Sequence, residues 1–166
     1  MFASIASTAL VGVESRHVQV EVHAGGGTKP SFSIVGLPDT AVREARERVL
    51  SALAYSGYRV PGGRITVNLS PADLPKAGSA YDLPIALGTL AAMRVVDPPP
   101  TGVVALGELA LNGTVRSVRG GLGAAVVARR LGLPCLLAPD AAGEAQRVAG
   151  SEVRGVRTLG EAVGVA

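Results

Sequence analysis

The polar and apolar positions of the chain start on a two-residue period and then lengthen. In RHVQVEVHAG, residues 16–25, Val18, Val20 and Val22 fall on one side and His17, Gln19, Glu21 and His23 on the other. That is the signature of a half-buried strand. With FASIASTALVG at 2–12 it predicts two strands around a turn at Glu14–Ser15, and SFSIVGL at 31–37 predicts a third. From Pro38 the period becomes helical: Val42, Ala45, Val49, Ala52 and Leu53 form one apolar stripe, and Arg43, Glu44, Arg46, Glu47 and Arg48 cover the rest. Pro38-Asp39 is a start signal, with the Asp39 carboxylate able to cap free N–H groups, and Gly57 is a stop. Glu44 stands four residues before Arg48, a favourable helical pair. One helix over 38–58 is predicted.

The remaining pattern alternates. A strand is predicted over 63–71, an apolar helix over 81–93 with Pro84 in its first turn, and a strand over 103–111. Asn112-Gly113 marks a tight hairpin turn into TVRSV at 114–118. A helix over 120–132, a strand over 134–139, a short helix over 141–150, a strand over 152–156 and a helix from Thr158 complete the chain. Strands first, then alternating helices and strands, predict an α/β fold, α+β in its two-layer form, with a mixed sheet in one domain over residues 1–166.

Composition sharpens this. Apolar residues make up 48% but aromatics only 3%, so the core is built from Ala, Val, Leu and Ile. The net charge is +3, and nearly all the basic residues are Arg. That excess permits nucleic-acid contact without demanding it. Phe2, Phe32, Tyr55, Tyr58 and Tyr81 are a short supply for base stacking. The lone cysteine, Cys135 in LPCLLAP, excludes an internal disulfide and reads as a buried small hydrophobe. His17 and His23, with no second cysteine, do not make a zinc pattern. No apolar run approaches membrane-spanning length, and MFASIASTAL lacks the charged start of a signal peptide, which predicts a cytoplasmic chain.

Three kinds of chemistry have candidate residues in the chain. HAGGGTKP has glycines and a lysine in the wrong order for a phosphate loop, and no helix follows. RGGLGAA opens a helix whose N–H groups could hold an anion, but Val126 stands where a dinucleotide fingerprint needs Gly or Ala; tight turns are the plainer reading. Among Asp73, Asp82 and Glu108, Asp82 lies in the first turn of its helix and is expected to act as a structural cap. Ser79, in PADLPKAGSAYDL, needs a base to be a nucleophile; Lys76 is three residues away but is expected to point to solvent.

The stretches FSIVGLPDTAVREARERVLSAL, RITVNLSPADLPKAGSAYDLPIALGTLAA, GELALNGTVRSVRG and VRGVRTLGEAV together resemble the N-terminal domain of the magnesium-chelatase-like AAA+ ATPases, the ComM/YifB family. The likeness runs from about Ile5 to Val163. It implies a ribosomal protein S5 domain 2-like fold, similar to the proteolytic domain of Lon. Lon-type proteases use a Ser–Lys dyad. Carried onto this sequence, the serine position falls on Ala80 and the lysine position on Leu122, and no lysine follows Lys76. Arginine cannot serve as the base because it stays protonated. The resemblance therefore implies a protease fold without protease chemistry and no catalytic, cofactor or metal residue in this chain. It also implies a downstream AAA+ motor, absent from these 166 residues, that carries ATP and magnesium, forms a homo-oligomeric ring and acts on DNA in branch migration and natural transformation. Arg116, Arg119, Arg129 and Arg130, around one hairpin and the following helix, are the candidate DNA or partner contacts. The rival readings are a purely structural oligomerisation module and, remotely, a peptidase using Ser79 with Lys76.

Overall fold

The computed structural model describes all residues from Met1 to Ala166. Strands β1 (Phe2–Val11) and β2 (Glu14–Gly25) form a long antiparallel hairpin. Its turn lies at Gly12–Val13, two residues before the predicted one, because Gly12 takes the positive φ of 63° that a tight turn requires. Strand β3 (Ser31–Val35) leads into a helix that is not continuous. α1 (Thr40–Arg43) and α2 (Ala45–Tyr55) are separated at Glu44, where the Arg48 guanidinium reaches back 2.8 Å to the Ala41 carbonyl. Asp39 caps α1 as predicted, accepting the Val42 N–H at 2.8 Å.

Strand β4 (Arg64–Ser70) and helix α3 (Asp82–Ala92) follow. Every residue of α3 is buried, and it lies so close to β2 that a Cβ on Gly88 would sit 2.7 Å from Val22 Cγ2. The predicted strand over 103–111 is two strands, β5 (Val104–Ala105) and β6 (Glu108–Leu109). The break at Gly107 has a clear cause: its N–H goes to the Ala80 carbonyl at 2.9 Å and its carbonyl accepts the Leu83 N–H at 3.0 Å. β6 then pairs with β7 (Val115–Arg116) in a separate small hairpin. Helix α4 (Gly121–Leu131), strand β8 (Cys135–Leu137), helix α5 (Pro139–Ala145), strand β9 (Val153–Gly155) and helix α6 (Leu159–Val165) complete the fold.

The main sheet has seven strands in the order β3-β4-β2-β1-β5-β8-β9, with the β1–β2 and β2–β4 pairs antiparallel and the other four pairs parallel. It is the mixed sheet of an α/β fold. The larger core packs α2, α3 and α6 on one face, using Ile5, Val20, Val22, Val67 and Leu136. On the other face α4 and α5 cover the β1-β5-β8-β9 end and the start of β2, through Ala6, Val104, Cys135 and Leu137 and the approach of Gly123 to Ser15. This is why β8 is buried along its whole length, and why β2 alternates.

Candidate functional site

The loops that follow β4 and precede α4 enclose a cleft of about 650 Å3 beside the end of β1. Its floor is the 75–81 loop, held by a set of backbone contacts written into the sequence. Gly36 takes φ 105°, and a Cβ there would lie 2.2 Å from the Leu69 carbonyl oxygen, so only glycine fits. The next turn pairs with the loop: the Lys76 N–H donates to the Leu37 carbonyl, and the Asp39 N–H to the Lys76 carbonyl, both at 3.0 Å. The second Asp39 carboxylate oxygen accepts the Gly78 N–H at 3.1 Å.

Lys76 does not point to solvent. Only 1% exposed, its ammonium donates to the Gly36 carbonyl at 2.8 Å and to the Pro71 carbonyl. Burial draws its pKa below the usual lysine range, against a smaller upward pull from Asp73. A lysine solvated only by carbonyls in this way ties the two loops together. Its charge is directed away from the cleft that Ser79 lines.

Asp82 is not a helix cap either. It is fully buried at the first position of α3 and forms a two-pronged pair with Arg48 of α2, at 2.6 and 3.0 Å, while accepting the Leu109 N–H of β6 at 3.1 Å. Burial pushes its carboxyl upward, with the Arg48 and Leu109 bonds pulling the other way, and its presence raises the Arg48 guanidinium. The predicted Glu44–Arg48 pair is present at 3.7 Å. Sequence reading missed the Arg48–Asp82 pair because its members stand 34 residues apart.

Ser79 lies in the cleft and donates its hydroxyl proton to Glu108. Glu108 in turn faces Arg116 at 3.6 Å. Ala80 lines the same cleft, whereas Leu122 lies 48% exposed on the outer side of α4 in an adjoining groove. Cys135 is buried in β8, where its surroundings push the thiol up to about 12.

The four candidate arginines do not form one cluster. Arg119 lines the cleft and Arg116 faces its Glu108, both ahead of α4, whereas Arg129 and Arg130 lie in the last turn of that helix, roughly 12 Å along from Gly121 at 1.5 Å per residue. Arg129 donates to the Ala149 carbonyl at 3.2 Å. Arg130 borders the adjoining groove with Leu10, Val13 and Val126. Two further residues at the cleft, Thr8 of β1 and Ser15 of β2, gave no sequence signal, since each sits within an ordinary strand pattern.

The sheet order, the clamped 75–81 loop and the glycine-led helix beyond it define an α/β domain with a mixed seven-stranded sheet. The sequence profile described as subunit ChlI of Mg-chelatase matches residues 20–142, and the chain belongs to that family. It is 42% identical over 158 residues to the competence protein ComM of Haemophilus influenzae, covering 95% of this chain and 31% of that protein. It is 46% identical over 142 residues to the uncharacterized protein YifB of Escherichia coli, covering 84% of this chain and 28% of that one. An uncharacterized protein of Mycobacterium tuberculosis is 43% identical over 157 residues, 93% of this chain and 31% of its own length. The chain thus spans less than a third of the length of these relatives. No helix is long and apolar enough to cross a membrane.

Proposed function

We propose that this chain is a catalytically inactive, Lon-like N-terminal domain of a ComM/YifB-type AAA+ protein, supporting ring assembly and DNA contact in recombination during natural transformation. ATP and magnesium belong to the motor domain of the parent protein, and the domain works in the cytoplasm. The observation that supports the inactive reading is that Ser79 has no free base beside it. Lys76 turns its charge on two backbone carbonyls, Ser79 meets a carboxylate that faces Arg116, and the Lon resemblance puts Ala80 and Leu122 at the dyad positions. A carboxylate is a far weaker base than a neutral lysine, so the hydroxyl stays protonated. The competence name of the Haemophilus influenzae relative supports a role with DNA. The exposed Arg116, Arg119, Arg129 and Arg130 supply the phosphate contacts.

A labelled Holliday junction titrated with this chain, read by anisotropy across a salt series, tests the DNA half. Steep weakening with salt is expected, because each phosphate contact releases counterions. No binding at low salt refutes it for this domain. Fluorophosphonate labelling of Ser79, abolished in Ser79→Ala, would refute the inactive reading.

One observation favours a second reading, a structural oligomerisation module without DNA contact. Two of the four arginines are already engaged, Arg116 by Glu108 and Arg129 by the Ala149 carbonyl. On that reading, neutralising Arg116 and Arg119 leaves DNA binding by the parent protein unchanged.

A further inference from the structure

Strand β1 has a partner along the whole of one edge and along only part of the other. With β2 it pairs from Phe2 to Val11. Just before it, Met1 and Ala24 exchange both of their backbone hydrogen bonds, each at 2.8 Å. That sets the phase of the ladder. The odd-numbered residues of β1 bond to β2, and the even-numbered ones turn their N–H and C=O groups to the opposite edge. On that edge β5 is only two residues long and meets β1 at one position, Ala6 against Val104. Beyond Ala105 the chain leaves the sheet, because the Leu106 N–H goes to the Leu136 carbonyl and the Gly107 N–H to the Ala80 carbonyl. The Thr8 carbonyl and the Leu10 N–H and carbonyl therefore have no strand beside them.

This free edge does not lie on an open surface. Thr8, Ala9 and Leu10 line the cleft of about 650 Å3, opposite the small residues Ala77, Gly78 and Ala80. Thr8 and Ala9 are only 4% and 5% exposed. Backbone groups so placed need partners, and a strand edge is a template for another strand. The cleft also has an unbalanced charge. Only Glu108 and Arg119 among its lining residues are charged. Glu108 is engaged by Ser79 and Arg116, whereas Arg119 is exposed and pairs with no carboxylate.

We propose that the cleft binds an extended peptide segment, which adds as a strand to the free edge of β1 at Thr8–Leu10 and sets an acidic side chain against Arg119. One residue of the added strand donates to the Thr8 carbonyl and accepts from the Leu10 N–H, in the place that β5 vacates. A DNA backbone offers acceptors but no donors, so it cannot satisfy the Thr8 carbonyl. The proposal rests on backbone pairing and not on Ser79 chemistry. It goes beyond the inactive, DNA-contacting reading and is tested separately from it.

The test starts from a phage-displayed random heptapeptide library panned against this chain. Enrichment of peptides that contain Asp or Glu is expected. When such a peptide binds, the Leu10 amide gains about tenfold protection from hydrogen exchange, while the Ala9 amide, already bonded to β2, changes little. N-methylation of the peptide one residue at a time weakens binding about tenfold at one or two positions, never at adjacent ones, because only every second N–H of an added strand faces β1. Arg119→Gln weakens binding several-fold and removes the preference for acidic residues. Leu10→Pro removes an N–H that β2 does not use, and is expected to abolish binding. If Leu10→Pro loses its dispersed amide spectrum, the N-methyl series decides alone. Cleavage of a peptide bound in this way supports the proposal while refuting the inactive reading. The proposal is overturned if panning enriches nothing over the bare support, if enriched peptides leave Leu10 exchange unchanged, if methylation is tolerated at every position, or if an oligodeoxynucleotide protects Leu10 and peptides do not.

Discussion

Replacing Arg48 by Met puts the buried pair under direct strain. Asp82 is fully buried, and the Arg48 side chain is 19% exposed. Removing Arg48 leaves the carboxylate with the Leu109 N–H as its one remaining partner. Breaking a fully buried pair costs about 3–5 kcal/mol; the partial access of Arg48 to water points to the lower end, about 3 kcal/mol. For a domain of this size that lowers the melting temperature by roughly 6–12 °C. Asp82→Asn should cost less, about 1–2 kcal/mol, because Arg48 still reaches water and keeps Glu44 at 3.7 Å. The pH dependence follows from burial. The unfolded Asp82 carboxyl titrates near 3.8, while burial raises it in the folded state, and more so without Arg48. A group raised on folding favours the fold at low pH and opposes it as the pH rises through its folded value. The Arg48→Met penalty therefore shrinks as the pH falls from 7 toward 4. Urea unfolding of both single variants and the double variant at several pH values measures all of this. An Asp82→Asn cost equal to or above that of Arg48→Met, or an Arg48→Met cost that grows in acid, refutes the reasoning.

Lys76→Met leaves the Gly36 and Pro71 carbonyls without their donor and should cost about 2–4 kcal/mol in denaturant unfolding, with Ser79→Ala near neutral as the control. Gly36→Ala forces a side chain into φ 105° and onto the Leu69 carbonyl, so a loss above about 3 kcal/mol, or no folded chain in the circular dichroism melt, is expected. Cys135 should resist a disulfide reagent at pH 8 until denaturant is added. Its thiol is pushed to about 12 in the fold against 9.0 unfolded, so the unfolded state loses its proton first as the pH rises. Stability therefore falls above pH 9, by up to about 1.4 kcal/mol per pH unit, and Cys135→Ala should flatten that slope.

The sequence by itself determined the elements whose periodicity a single segment carries. The alternation of β2, the apolar run of α3 and the turn signals before α4 are local, so residues close in the chain reveal them. The motifs GLPD, PADLPK and YDLP carried the family resemblance, and the glycine of the first, Gly36, holds a backbone conformation that a side chain does not tolerate. Only the tertiary structure decided what the side chains in those motifs do. Lys76 turns inward because the Gly36 carbonyl of another loop and the Pro71 carbonyl of its own both take its ammonium as donor. Asp82 meets Arg48 only when α2 packs on α3. The strand at 103–111 divides because Ala80 and Leu83 take the backbone groups of Gly107. Thr8 and Ser15 stayed silent in the sequence, since a hydroxyl in a strand gains meaning only when the element opposite it is known. Each depends on partners from elsewhere in the fold, and periodicity carries no information about distant partners.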